Sequence, residues 1–315
     1  MSRIILAPME GLADSILRDC LTQIGGIDLC VTEFIRVTTQ LLPPKVFYRL
    51  CPELSHGCKT PSGVPVRVQL LGSDPDALAA NAVRALELGS PGVDLNFGCP
   101  AKTVNKSQGG AILLQEPQRV GRIIATVRQA IGDDAWLSAK MRLGFTTKDL
   151  ALENARHIEG AGANELTVHA RTKVEGYRPP AHWEWIQRIR GVVNIPVIAN
   201  GEVWSPQDYQ ACRQTSGSDD VMIGRGLVWK PDLALQIKDR DIAERKPWTW
   251  QDLVPIVLYF IDVVEAQVAT KYQDARIKQW LKLLGKVYPE ALACFEKGKR
   301  LKTLNELRML VAQVE

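Results

Sequence analysis

The chain has 315 residues, enough for one large domain and a small one. Apolar residues make up 46% and charged residues 23%, and no run reaches the roughly 18 apolar residues of a membrane-spanning helix, so no membrane partner is expected. A net charge of +4 is too mild to require a nucleic-acid partner, and seven irregularly spaced cysteines argue against a disulfide framework and for a reducing, cytoplasmic setting.

The first strand candidate, residues 4–7, starts so early that no secretory signal core is expected before it. Further short apolar runs follow at 29–32, 66–70, 93–95, 137–141, 166–169, 197–199 and 221–223. Most of the gaps between them carry a helical period. Leu78, Ala82, Ala85, Leu86 and Leu88 form one apolar face, and Val120, Ile123, Ile124 and Val127 another. Strands alternating with helices mean parallel pairing with crossover helices. Eight of them predict an α/β fold, a (β/α)8 TIM barrel over residues 1–243. A doubly wound sheet is the alternative, but no G-x-G-x-x-G follows the first strand. Cys51, His56 and Cys58 lack the spacing of common zinc motifs, so no metal is expected.

Each strand runs into polar residues: Pro8-Met9-Glu10, Glu33 with Arg36, Gln69, Asn96 with Cys99, Lys140 with Arg142, His169 with Arg171, Asn200-Gly201-Glu202, and Gly224-Arg225-Gly226. The C-terminal strand ends of a barrel form its catalytic face, and loops seven and eight often hold a phosphate. Gly201 and Gly224 allow close backbone approach to an anion, and Arg225 supplies charge. The plainer reading of these two loops is a pair of ordinary turns.

Beyond residue 243 the pattern changes. Pro247-Trp-Thr-Trp250 reads as a linker and helix start. Leu253, Ile256, Val257, Phe260, Ile261 and Val264 follow at helical spacing, as do Ile277, Trp280, Leu281 and Leu284, until Tyr288-Pro289 breaks the run. A small all-helical C-terminal domain is predicted over residues 244–315. Between Lys271 and Arg308 stand ten Lys/Arg against four Asp/Glu, an excess of +6 that leaves −2 for the rest of the chain. Lys278, Lys282 and Lys286 share one helical face, which suits a phosphate backbone or a solvated surface.

The most specific stretch is Asp94-Leu-Asn-Phe-Gly-Cys-Pro-Ala-Lys-Thr-Val-Asn105. Gly98 lets the chain turn after a strand and Pro100 stiffens the exit, so Cys99 sits on a shaped loop. A thiol is mostly protonated at neutral pH and can donate its proton. The plainer reading is a buried structural cysteine. This stretch resembles the active-site signature N-x-G-C-P-x-x-x-V-N of tRNA-dihydrouridine synthases. The resemblance runs through nearly the whole chain. It is closest to the C-type bacterial branch, through Ala-Pro-Met-Glu-Gly at 7–11, Thr-Glu-Phe-Ile-Arg at 32–36 and Arg-Ile-Lys-Gln-Trp at 276–280. Ala101 and Ala111 depart from the usual Ser or Gln and the usual Gly.

The resemblance implies FMN as cofactor, NADPH as electron donor, tRNA as substrate, and uridine 16 as the target. A monomer is expected. It casts Cys99 as the general acid to C5 of a uracil. Pro8, Met9 and Glu10 would wall the flavin, with Gln69 at its pyrimidine edge and Lys140 and His169 beside it. Asn200, Gly201, Glu202, Gly224 and Arg225 would hold its phosphate. Asn96 would position the base, and Arg36, Arg171, Tyr177, Arg276, Lys278 and Lys299 would contact the RNA. Two other readings are a flavin barrel acting on a free pyrimidine, and a catalytically silent RNA-binding module. The first has no use for a basic helical domain. The second has no use for Gln69, Lys140 and Cys99 together.

Overall fold

The computed structural model describes residues 2–238 and 246–313. Eight parallel strands close into a barrel in chain order. They are β1 (Ile4–Leu6), β2 (Leu29–Arg36), β3 (Val66–Leu71), β4 (Val93–Phe97), β5 (Leu137–Arg142), β6 (Glu165–His169), β7 (Val197–Asn200) and β8 (Val221–Ile223), and β1 pairs with β8. The TIM barrel expected from the alternating runs is the fold observed. Helices cover it because their apolar faces need a partner. Pro75–Glu87 buries Leu78, Ala82 and Ala85, with the Asp74 side chain capping its first turn at the Ala77 N–H. Pro117–Ile131 buries Val120, Ile123, Ile124 and Val127.

Strand register sorts the barrel interior into two halves. Ile5, Ala7, Leu29, Val31, Ile198 and Met222, from β1, β2, β7 and β8, form one apolar cluster. Across β3 to β6, Gln69, Asp94, Ser138 and Glu165 are successive Cα partners, and so lie in one polar layer. Asn96, Lys140 and Thr167 form the next layer toward the strand C-termini. A register shift in β2 between Val31 and Phe34 breaks its alternation. That bulge pairs Phe34 with Gln69 and Arg36 with Leu71, which brings both to the C-terminal end of the barrel.

The described residues divide into two compact units. One holds residues up to 15, 27–203 and 207–224; the other holds 16–26, 204–206 and 225 onward. The boundary expected at 243/244 lies outside the described residues. The second unit is helical. Trp250–Gln267 starts at a capping box made by Thr249 and Asp252. Its buried face meets Thr270–Leu284, where Trp280 packs edge-on against Phe260 at 4.6 Å. Pro289–Gly298 restarts the helical run after the break, and Leu304–Gln313 follows. No helix among the described residues is long and apolar enough to cross a membrane.

Candidate active site

Cys99 lies just past β4 on a loop fastened from both sides. Its carbonyl accepts from the Ala111 N–H at 3.2 Å and from Asn105 Nδ2 at 3.0 Å. Asn105 Nδ2 also donates to the Ala101 carbonyl, and its Oδ1 accepts from the Ile112 N–H at 2.9 Å. Gly110 adopts φ +68°, and a Cβ there would stand 2.8 Å from the Cys99 carbonyl oxygen. Position 110 is therefore the one that demands glycine. Ala111 is buried without such strain, and Ala101 packs with Phe34 against Leu71, Cys99 and Val104. The two departures from the signature thus fit this loop.

The thiol is buried and its pKa is raised above the ordinary value. Burial is the main cause and the Glu10 carboxylate adds to it. A backbone hydrogen bond from Ala101 and the Arg142 and Lys140 charges oppose it. The group is a neutral acid at physiological pH. Lys140, two residues up β5 from the polar layer, is lowered to about 8. Desolvation dominates and Arg142 repels it, while Asp94 and Cys99 favour its charge.

Gln69 is fully buried two residues before the end of β3, near the strand end as expected. Its Nε2 donates to Asp94 Oδ2 at 2.7 Å and its Oε1 accepts from Asn96 Nδ2 at 2.7 Å. Asn96 Oδ1 then accepts from the Gly98 N–H at 2.9 Å. Arg142, given no specific role by the sequence, donates from Nε to the Gly98 carbonyl at 2.9 Å. Its Nη1 reaches the Thr172 and Gly176 carbonyls at 3.0 and 2.9 Å, and its guanidinium lies 5.3 Å from the Tyr177 ring centroid. One side chain thus ties the Cys99 loop to the loop after β6. Only its position two residues past Lys140 on β5 could have marked it.

Tyr177 is 55% exposed, with its ring 5.9 Å from that of His169. His169 is buried beside Gly201, where a Cβ would stand 3.0 Å from the imidazole. Asn200 Nδ2 donates to the Met222 carbonyl at 2.8 Å, and Trp183 Nε1 donates to the Gly201 carbonyl at 2.9 Å. Gly224 faces Met9 and Ala7, whose atoms lie 3.3 Å or more from the place of a Cβ. Pro8 and Met9 are half-buried and Glu10 exposed on the turn after β1, whose Gly11 N–H donates to Glu33. At both glycines the place of a Cβ is bounded by the chain's own side chains, His169 at Gly201 and Met9 at Gly224.

Arg171 was expected on the RNA side. It is fully buried, ion-paired with Glu202, and bonded to the Arg178 carbonyl at 2.6 Å. Its cation serves the fold of these two loops. Arg36 is exposed and donates to Ser107 Oγ at 2.8 Å. In the helical unit, Arg225 lies 4.9 Å from the Trp204 ring, which stacks on Trp229. Arg276 lies 5.0 Å from Phe260, and Lys299 pairs with Glu296. Lys278 is committed to its own unit: it pairs with Asp274 at 2.9 Å and donates to the carbonyls of Lys299 and Leu301.

An eight-stranded parallel barrel with a neutral thiol and a low-pKa ammonium at its C-terminal face defines a barrel enzyme. Residues 5–308 match the dihydrouridine synthase (Dus) family, and the chain belongs to that family. It is 54% identical over 299 residues to a tRNA-dihydrouridine(16) synthase of Pseudomonas putida, covering 95% of this chain and 93% of that one. It is 52% identical over 311 residues to the protein of that name from Aquipseudomonas alcaligenes, covering 98% and 99%. Among solved structures, the old yellow enzyme homologue of Zymomonas mobilis matches with a TM-score of 0.52 at 14% identity, over 74% of this chain and 87% of that one, a likeness of fold.

Proposed function

We propose that this dihydrouridine synthase reduces uridine 16 of tRNA to 5,6-dihydrouridine, with FMN as cofactor and NADPH as electron donor. One observation carries the reading: the Cys99 thiol, kept neutral by burial on a fastened loop, stands within electrostatic reach of Lys140. The near full-length relatives supply the name of the reaction and the position. Bound FMN would supply a hydride to C6 of the uracil. Cys99 gives its proton to C5, a general-acid step. The Lys140 ammonium would offset negative charge on a flavin bound beside it. Gln69 and Asn96 offer their remaining amide groups to the flavin edge and the base. Pro8, Met9, Glu10 and His169 would bound the flavin's ring. Asn200 and the backbone at Gly201, Glu202 and Gly224, with Arg225 next in the chain, would hold the phosphate.

The uridine must leave its stack to be reduced. Exposed Arg36 and Tyr177 receive the RNA at the barrel. Arg276, Lys299 and the exposed lysines Lys282 and Lys286 do so on the helical unit. The test is direct. Purified protein is supplied with FMN, NADPH and unmodified tRNA transcripts, and dihydrouridine is mapped. Reduction at 16 supports the reading. Reduction elsewhere overturns the position, and reduction of orotate but not tRNA assigns the site to a free pyrimidine.

A further inference from the structure

We propose that Asp94 is a positioning residue that sets the direction of a hydrogen-bond chain, and thereby which amide faces Gln69 and Asn96 offer to their ligands. The inference rests on the flavin and uracil roles proposed above.

The chain has two ends whose roles are fixed. The Gly98 N–H can only donate, so Asn96 must turn Oδ1 toward it, at 2.9 Å. Asn96 Nδ2 then points to Gln69 Oε1, and Gln69 Nε2 to Asp94 Oδ2, each at 2.7 Å. At the other end, Ser138 Oγ accepts from Arg67 Nη1 at 3.0 Å, which directs its own hydrogen to Asp94 Oδ1. Both Asp94 oxygens therefore receive a donor, which the amide nitrogen of an asparagine could not do. Arg67 is held in turn by Glu165 at 2.8 Å. Every group in this chain of bonds is buried, so a mismatch inside it is costly. Gln69 is left with one N–H and one lone pair, in an arrangement it cannot reverse. Asn96 is left with the same pair of groups, and its partner Gly98 precedes Cys99.

An Asn at 94 would turn its amide nitrogen toward one of two groups that already donate. If it faces Gln69, both amides flip and Asn96 meets Gly98 donor to donor. The double variant Asp94→Asn with Asn96→Asp repairs this. The new carboxylate accepts from Gly98 and from Gln69 Nε2, while Gln69 Oε1 accepts from the new Asn. The network is complete again, with Gln69 reversed.

The experiment compares wild type, Asp94→Asn and the double variant as full chains, each with Gln69 and with Gln69→Ala. Melting temperature and FMN affinity of the flavin-stripped proteins are measured without tRNA. Asp94→Asn should lose stability and bind FMN about 10- to 100-fold more weakly. The double variant should regain the melting temperature but not the affinity. In the Gln69→Ala background, neither change should alter FMN affinity further. Affinity that returns together with stability overturns the proposal, because Asp94 then only supports the fold. A loss that persists with Ala at 69 also overturns it, because the moved charge then acts directly. Should the double variant not fold, Asp94→Asn alone in the two backgrounds decides by the same criterion. A wild type that binds no FMN removes the proposed function; the inference about Asp94 fails only where the wild type binds.

Discussion

The Cys99 thiol and the Lys140 amine are shaped by the same burial with opposite signs. Cys99 gains a proton affinity above its ordinary value, and Lys140 loses affinity down to about 8. Cys99→Ala should keep its flavin and its NADPH oxidation but lose roughly 10² to 10⁴ in tRNA reduction, the usual worth of an acid–base group. Single-turnover assays on tRNA read this, and near-normal turnover would assign the proton to another group. For Lys140 the sign follows from linkage. Between about pH 8 and its ordinary value of 10.5, the unfolded chain holds a proton that the native state has released. Native stability, relative to a Lys140→Met variant, should therefore rise as pH rises through that window. Urea unfolding of both proteins at pH 7 and pH 9.5 gives the difference. The same deprotonation removes the charge proposed to face the reduced ring, so turnover should fall above about pH 8 while stability climbs.

At the scale of elements, the eight strands were legible because β-branched runs recur between helical periods; six of them extend the predicted bounds by one to four residues, β8 keeps them, and β1 ends one residue earlier. The bulge in β2 was not legible. A two-residue alternation read through Thr32 gives no sign that Phe34 and Arg36 switch sides, since the shift shows only against β3. The Cys99 loop was recognised by its motif, yet Asn105 stood there without a role. Its work is done through bonds to Cys99, Ala101 and Ile112, which require the folded loop. Asn105→Ala should cost about 1–3 kcal/mol, because buried backbone groups lose their partner. It should also speed alkylation of Cys99 by iodoacetamide, measured by mass spectrometry. Unchanged alkylation would mean that the Gly110 turn alone holds the loop.

For the molecule as a whole, composition located a basic helical segment but could not sort its cations. Lys278, Lys282 and Lys286 recur at four-residue intervals, and one stripe was the natural reading. The fold separates them. Lys278 secures backbone carbonyls at the end of a neighbouring helix, while Lys282 and Lys286 are exposed. Arg171 is the same lesson in the barrel, a cation read as a surface contact and found closing an ion pair. Lys278→Gln should accordingly lower the melting temperature. Lys282→Gln with Lys286→Gln should leave it unchanged and reduce the salt dependence of tRNA binding by roughly 0.7 to 0.9 slope units per lost phosphate contact. NADPH oxidation without tRNA should not change in either case. Wild-type slope in the double variant would mean that this face meets only solvent.

The serial bonding of Gln69 and Asn96 has a thermodynamic consequence for recognition. Both amides are immobilised before any ligand arrives, since each is held at its oxygen and its nitrogen by other parts of the barrel. Their rotamer entropy is therefore lost during folding and not during binding. Ordering a mobile polar side chain at a binding surface costs about 0.5–1.5 kcal/mol. A ligand that meets these two groups escapes that penalty twice, and it encounters a template that already discriminates donors from acceptors. The same rigidity makes the site intolerant: a ring with the opposite pattern cannot be met by turning an amide over.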